Sequence, residues 1–289
     1  MTFGDKSWGS IKLGKDLGVF AGTAILNDMT LLGVGGGAMA SGGATTFGGI
    51  GTGYIYAAWK GQITYTTPNF NGFQASVGIF NPNQASKAAG IGHDIVAGST
   101  VAMTLQTPAG AALQDRFGLE GKASYSFAAD NFTGKVWVSG ASYDITYNAA
   151  GAAYTASAAD IGANINAGNV GLTGYYYTGE GVGTTIFGQL GSTSAGAKRD
   201  SDGGYLQATY ILPTKTKLGL AYGVSKLDMG SGDTAATLLR ENERMTLGLY
   251  HPLTKHLNLV AEYNDVSSKS HTNVERDNKT GSLGAILFF

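Results

Sequence analysis

Arg116-Phe117-Gly118-Leu119-Glu120-Gly121-Lys122-Ala123-Ser124-Tyr125-Ser126-Phe127 carries the clearest periodicity in the chain. Phe117, Leu119, Ala123, Tyr125 and Phe127 share one parity. Arg116, Glu120, Lys122, Ser124 and Ser126 share the other. Successive side chains of a strand point to opposite faces of its sheet. The stretch therefore reads as a β-strand with one apolar face and one polar face, and its three ionisable side chains all take the polar face.

The same test extends outward in both directions. Upstream, Ile11 and Leu13 alternate with Ser10 and Lys12. Lys60, Gln62, Thr64 and Thr66 alternate with Ile63 and Tyr65, and after the turn signal Pro68-Asn69-Phe70-Asn71-Gly72 the pattern resumes at Phe73, Ala75, Val77 and Ile79. Downstream, Val136 and Val138 oppose Lys135 and Ser139. Ile161, Ala163 and Ile165 oppose Asp160, Asn164 and Asn166. Similar segments follow around Leu206–Leu212, Leu218–Val224, Met245–Leu249 and Leu257–Tyr263. The units are about ten residues long and number about twelve, the length of a membrane-crossing strand. Connections alternate between short and long: long over 15–58, short over 67–72, long over 81–115, short over 128–131, with further long loops at about 179–203 and over 265–279. Membrane barrels pair short turns at one end with long loops at the other. A soluble sandwich would alternate too, but its outer face would carry charge, and these apolar faces carry almost none.

Composition sets the remaining bounds. The chain has 289 residues, 46 of them Gly, only 13% charged, with a mean hydropathy of -0.00. Charge falls well below the roughly 25% of a soluble domain. No apolar run reaches the ~18 residues that a membrane helix needs. A net charge of -1 argues against nucleic acid as a partner. With no cysteine, disulfides and thiolate chemistry are excluded. Met1 to Ser10 shows neither the apolar core nor the cleavage site of a signal peptide, so a mature or truncated form is expected. The fold class read from these features is all-β: an antiparallel transmembrane β-barrel, with residues 1–289 as one domain and 15–58 as a long inserted loop. Loops beyond about 12–15 residues are usually functional.

Several residues resemble the general porin family of Gram-negative outer membranes. Gly9-Ser10-Ile11-Lys12-Leu13-Gly14-Lys15-Asp16 is similar to the family strand that ends in Gly-Arg/Lys just before a pore-constricting loop. Asn27-Asp28-Met29 resembles the Asp-Met of that loop, and Ile63 to Phe73 resembles its strand–Pro-Asn-Phe–strand segment. The resemblance implies a sixteen-stranded barrel, a homotrimer embedded in outer-membrane lipid, and a terminal Phe289 presented to the barrel-assembly machinery. By the same resemblance the chain corresponds to strands five to sixteen. Either the barrel closes on twelve strands or the first four are not in this sequence, and the second reading is preferred. Leu32 stands where the family has a Glu, and Thr64 where it often has an Arg.

Alternation places Lys12, Lys60, Arg116, Lys122, Lys135, Lys217 and Arg244 on the lumen wall, together with Glu120, Asp160 and Glu262. The resemblance adds Lys15 to the wall and Asp16 and Asp28 to the inserted loop. It implies a transverse field between acidic loop and basic wall. The expected function is a water-filled channel for passive diffusion of small hydrophilic solutes and ions. The alternatives are a channel selective for sugars or carboxylates, a non-channel surface β protein, and an outer-membrane enzyme built in a barrel. No Ser/His/Asp or paired-carboxylate constellation supports catalysis, and no cofactor or metal site is expected. Tyr175, Tyr176 and Tyr177 are expected in a membrane-interface girdle, and Trp8, Trp59 and Trp137 in the girdle or the lumen. A sugar-specific channel would use a track of lumen aromatics, for which Trp137, Tyr205 and Tyr250 are candidates that form no obvious series.

Overall fold

The computed structural model describes residues 1–31, 33, 48–81, 112–113, 116–147, 153–193, 195–234 and 238–289. Its strands are β1 (Thr2–Asp5), β2 (Gly9–Leu17), β3 (Trp59–Thr66), β4 (Phe73–Phe80), β5 (Ala112–Leu113), β6 (Gly118–Ala129), β7 (Phe132–Tyr147), β8 (Ala153–Ala167), β9 (Val170–Glu180), β10 (Asp200–Ile211), β11 (Lys217–Leu227), β12 (Leu239–Pro252), β13 (Leu257–Ser270) and β14 (Glu275–Leu287). Among the described residues the one helix is α1, Gly22–Asn27. Thirteen strands form a single antiparallel meander from β1 to β14, and the two-residue β5 pairs with β7. The expected all-β antiparallel class is observed.

Each long strand is two-faced because its residues are. Along β8 exposure alternates residue by residue from Ala153 to Asp160. On the outward face Leu119, Val138, Ile161, Leu172, Leu206, Leu220 and Leu247 are all exposed apolar side chains. On the inward face Lys60, Glu120, Asp160, Arg244 and Glu262 are buried. A lysine or arginine facing lipid at mid-bilayer costs about 2–4 kcal/mol, so this register is strongly enforced.

Three features differ from the sequence reading. Met1 to Ser7 is not a bare leader to the first strand: Thr2–Asp5 forms a hairpin with β2, with Phe3 opposite Ile11. Four residues are too few to show a period. Second, β13 and β14 run on to Ser270 and back from Glu275, leaving a four-residue turn where a long loop over 265–279 was expected. Third, the outward face does carry charge, at the ends of the strands: Asp5 at the short-turn end of β1 and the others at the long-loop ends. Alternation disappears there because both faces are wet.

That boundary between apolar and charged residues slopes across the sheet. The first outward charges are Asp265 and Lys279, paired across β13 and β14. On β12 the first is Glu243, one pair of residues further up than Met245, which faces Asp265. On β11 and β10 they are Lys226 and Asp202, facing each other another pair further. On β9 it is Glu180, opposite Asp200 and one pair further again. Five strand spacings cover about 24 Å and six residues about 20 Å. The boundary thus makes an angle of about 40° with the strand-to-strand direction, inside the ~35–45° tilt of membrane barrels. A membrane plane cutting tilted strands produces this slope.

Candidate functional site

The segment after β2 turns inward and lies across the inner face of the sheet. Gly18 permits the turn: a Cβ there would sit 2.3 Å from the Ala57 carbonyl oxygen. Phe20, Ala21, Ala24 and Ile25 are buried together with Tyr54, Ile55 and Ala57 from the returning limb. The apolar side chains fill the interior, and wall side chains satisfy the exposed backbone.

The first anchor is Glu120. Its Oε2 accepts the backbone N–H groups of Val19 (2.6 Å) and Phe20 (2.9 Å), which the turn leaves without strand partners. Its Oε1 accepts the Tyr143 hydroxyl at 2.6 Å and pairs with Lys60. Lys60 in turn lies 5.1 Å from the Tyr143 ring centroid and 5.7 Å from those of Phe80 and Phe187. Each of these two charges is 2% exposed. Such a pair is tolerated in a dry site because every formal charge meets several partners.

The second anchor is Asp28. Its Oδ2 accepts the Gly49 N–H (2.6 Å) and the Tyr54 hydroxyl (2.8 Å), and its Oδ1 accepts the Thr30 N–H (2.9 Å) and hydroxyl (2.7 Å). Arg244 reaches it from β12, with Nη2 at 3.8 Å, and Nη1 donates to Thr30 Oγ1 at 2.9 Å. Asp28 therefore ties the outgoing limb, the returning limb and the wall into one knot. Burial, reinforced by the Asp28 carboxylate, pushes the Tyr54 hydroxyl well above its ordinary value. It stays protonated and serves as a donor.

Between the anchors, Asp160 accepts the Ala21 N–H and the Tyr175 hydroxyl, both at 3.1 Å. Tyr205 donates to the Ala24 carbonyl at 2.8 Å. Gln207 binds both ends of one peptide stretch, accepting from Met29 N–H (2.7 Å) and donating to the Asn27 carbonyl (3.0 Å). Tyr143, Tyr205 and Gln207 were not singled out as loop anchors from sequence. Alternation puts them on the inner face, but nothing in a linear pattern says what they touch.

A second inserted segment lies in the loop expected at about 179–203, whose contacts the sequence does not show. Residues 181–193, between β9 and β10, pack on the first loop: Tyr56 N–H donates to the Thr185 carbonyl at 2.8 Å, and Phe187 meets Phe20 edge-on at 6.0 Å. Its base is clamped by Arg199, whose Nε and Nη2 reach the two carboxylate oxygens of Asp233 at 2.7 and 2.8 Å. The Arg199 guanidinium holds the Asp233 carboxyl below its usual range.

The expected wall residues divide into several groups. Lys60, Glu120 and Arg244 face inward but are sealed beneath the loops, so they do not front an open lumen as expected. The loops that should face these charges sit on them. Glu262 is likewise buried, and accepts the Tyr250 hydroxyl at 2.6 Å. Lys12, Lys122, Lys135 and Lys217 face inward and keep partial exposure. Lys122 Nζ donates to Thr23 Oγ1 at 3.2 Å, and Lys217 lies 5.0 Å over the Tyr250 ring. Asp16 belongs to β2 rather than to the loop, and pairs with Lys12 at 2.7 Å. Lys15 is corrected outright. It sits opposite Gly61, on the outward parity shared with Leu13, and is exposed. Arg116 is also corrected: it precedes β6 and pairs with Asp144 at 3.4 Å while largely exposed. Phe289 is fully exposed beyond β14. The tyrosine run splits by parity, with Tyr176 outward and Tyr175 and Tyr177 buried inside.

Solved structures share this architecture. The outer membrane channel DcaP of Acinetobacter baumannii aligns at a TM-score of 0.69 with 14% identity, over 96% of this chain and 71% of that one. An anion-selective porin from Comamonas acidovorans aligns at 0.57 with 16% identity, over 97% and 73%. OmpT of Vibrio cholerae aligns at 0.55 with 14% identity, over 98% and 78%. No curated protein matches the sequence. A sequence model described as Gram-negative porin matches residues 1–271. With a two-faced meander, loops folded onto its inner wall and that match over most of its length, the chain belongs to the Gram-negative porin family and is an outer-membrane porin channel.

Proposed function

We propose that the channel passes small hydrophilic solutes and ions by passive diffusion, and that the inserted loop expected over 15–58, less its first three residues, which belong to β2, narrows it. The observation behind this reading is the anchoring of that segment at Glu120, Asp160, Gln207 and Arg244, on strands β6, β8, β10 and β12. A loop held at four points across the wall sets a fixed aperture, and aperture and lining together set selectivity. Asp28 and Asp16 act mainly through partner lysine and arginine side chains on the wall. The basic residues that keep exposure, Lys12, Lys122, Lys135 and Lys217, line the path. Assembly as a homotrimer in outer-membrane lipid and recognition of Phe289 by the barrel-assembly machinery complete the proposal. One OmpT structure among the similar folds is a trimer form. Catalysis has no part in this reading.

Single-channel recording in planar bilayers tests it. Ohmic steps with weak ion preference are expected. Conductance blocked by micromolar sugar would identify a selective channel instead. A folded protein that never conducts would overturn the reading.

A further inference from the structure

The inner-face charges can be matched one against another. Lys12 is paired with Asp16, Lys60 with Glu120 and Arg244 with Asp28. Among the described residues of the central wall, two cations on adjacent strands have no carboxylate in salt-bridge contact: Lys122 on β6 and Lys135 on β7. Both are partly exposed. They stand two inward rows apart, since Lys122 faces Ser139 and Lys135 faces Ser126. The nearest acid in the same row is Asp160, opposite Ser139 on the next strand. It is buried and engaged by Ala21 and Tyr175. The cross-strand partners of the two lysines are neutral and polar: Ser76 and Ser139 for Lys122, Ser126 and Asn164 for Lys135. Lys135 pairs with Asn164, which pairs in turn with Thr173, and Lys122 contacts the Thr23 hydroxyl of the loop.

Taking the channel reading as premise, we propose that Lys122 and Lys135 are specificity-determining residues. They form a two-step basic track along the β6–β7 wall that favours small anions, inorganic or carboxylate. The track runs below the loop anchors towards the short-turn end. An anion leaving the loop at Lys122 thus meets a second ammonium group within the next two rows, with amide and hydroxyl groups between. A cation on the same side meets the same field with the opposite sign. Because the paired charges cancel locally, these two lysines, with Lys217 further round the wall over the Tyr250 ring, carry the uncancelled charge of its open part. Salt screens such exposed charges, with a Debye length of about 10 Å at 0.1 M and about 3 Å at 1 M.

The test is the reversal potential across a KCl gradient for the full chain in planar bilayers. The wild-type protein is expected to prefer chloride. The double variant K122Q/K135Q should shift the reversal potential towards that of potassium, and the shift should shrink as both salt concentrations rise towards 1 M. The charge-preserving K122R/K135R should keep the wild-type value. Added inorganic phosphate should depress the chloride current of the wild type more than that of K122Q/K135Q. An unchanged reversal potential in K122Q/K135Q, with conductance intact, overturns the proposal. So does an equal shift in K122R/K135R, which would mark a structural role. Loss of all conductance in the wild type would instead overturn the channel reading itself.

Discussion

At the scale of single residues, the inner wall spends much of its charge on holding a loop. Glu120 takes four donors, two of them backbone groups of the loop. Glu120→Ala strands Lys60 in a dry site and frees two N–H groups. Breaking a buried pair from one side costs about 3–5 kcal/mol. The expected outcome is a lower denaturant midpoint in detergent micelles and faster proteolytic cleavage within 18–58. Tyr143→Phe removes one hydroxyl from the same site and should cost about 1 kcal/mol. Asp28→Asn removes the acid of the second anchor and leaves Arg244 without its counter-charge. Reversal potentials should then move towards anions. An unmoved value would show that Asp28 acts only through loop position.

At the scale of elements, alternation made the strand cores legible and little else. Leu119 to Phe127, Val136 to Ser139 and Leu257 to Tyr263 were readable because lipid on one side and water on the other impose opposite demands on adjacent residues. Above the membrane those demands vanish, so Asp265 to Ser270 and Glu275 to Lys279 looked like loop though they are strand. Contacts of the inserted loops were illegible for a different reason. The Glu120 contacts to Val19 and Phe20 span about a hundred residues of sequence. The resemblance assigns Asp28 and Asp16 to the loop and alternation assigns Arg244 to the wall, and neither says that Asp28 and Arg244 meet. The second inserted loop offers a pH test. Arg199 lowers the Asp233 carboxyl in the folded state, so the unfolded loop binds more protons than the folded one as acid is added. The stabilisation is fully present above the unfolded value, near 3.9, and is lost as pH falls through the folded value. The protection of residues 181–199 against hydrogen exchange, corrected for the intrinsic pH dependence of the exchange rate, should fall as pH drops below about 4, and Asp233→Asn should flatten that dependence.

At the scale of the whole molecule, the sheet is a surface sorted by depth. Leu247 lies in the middle of the outward apolar run of β12, and Glu241 lies past its charged edge. Leu247→Arg should cost about 2–4 kcal/mol in phospholipid vesicles, and Glu241→Arg only about 0–1 kcal/mol. Equal costs would show that the tilted boundary does not mark the membrane edge. The overall architecture was readable because this depth sorting repeats along the chain. Which of the inward charges remain open to solute was not, because that depends on loops folding back over them.

The sloped boundary has a consequence for the surrounding bilayer. On β12 the outward apolar run between Glu243 and His251 spans eight residues, about 27 Å along the strand. Projected through a tilt of about 40°, it is about 21 Å tall, short of the ~25 Å common in such barrels. A stiff sheet cannot stretch to meet a thicker hydrocarbon layer, so the lipid must thin around it. Mismatch of this kind costs fractions of a kcal/mol per Å and sorts proteins towards thin membranes. Folding yield should therefore be highest in short-chain phosphatidylcholine and fall steadily as the acyl chains lengthen. The belt is a ruler: the protein carries in its own sequence the thickness of the membrane it suits.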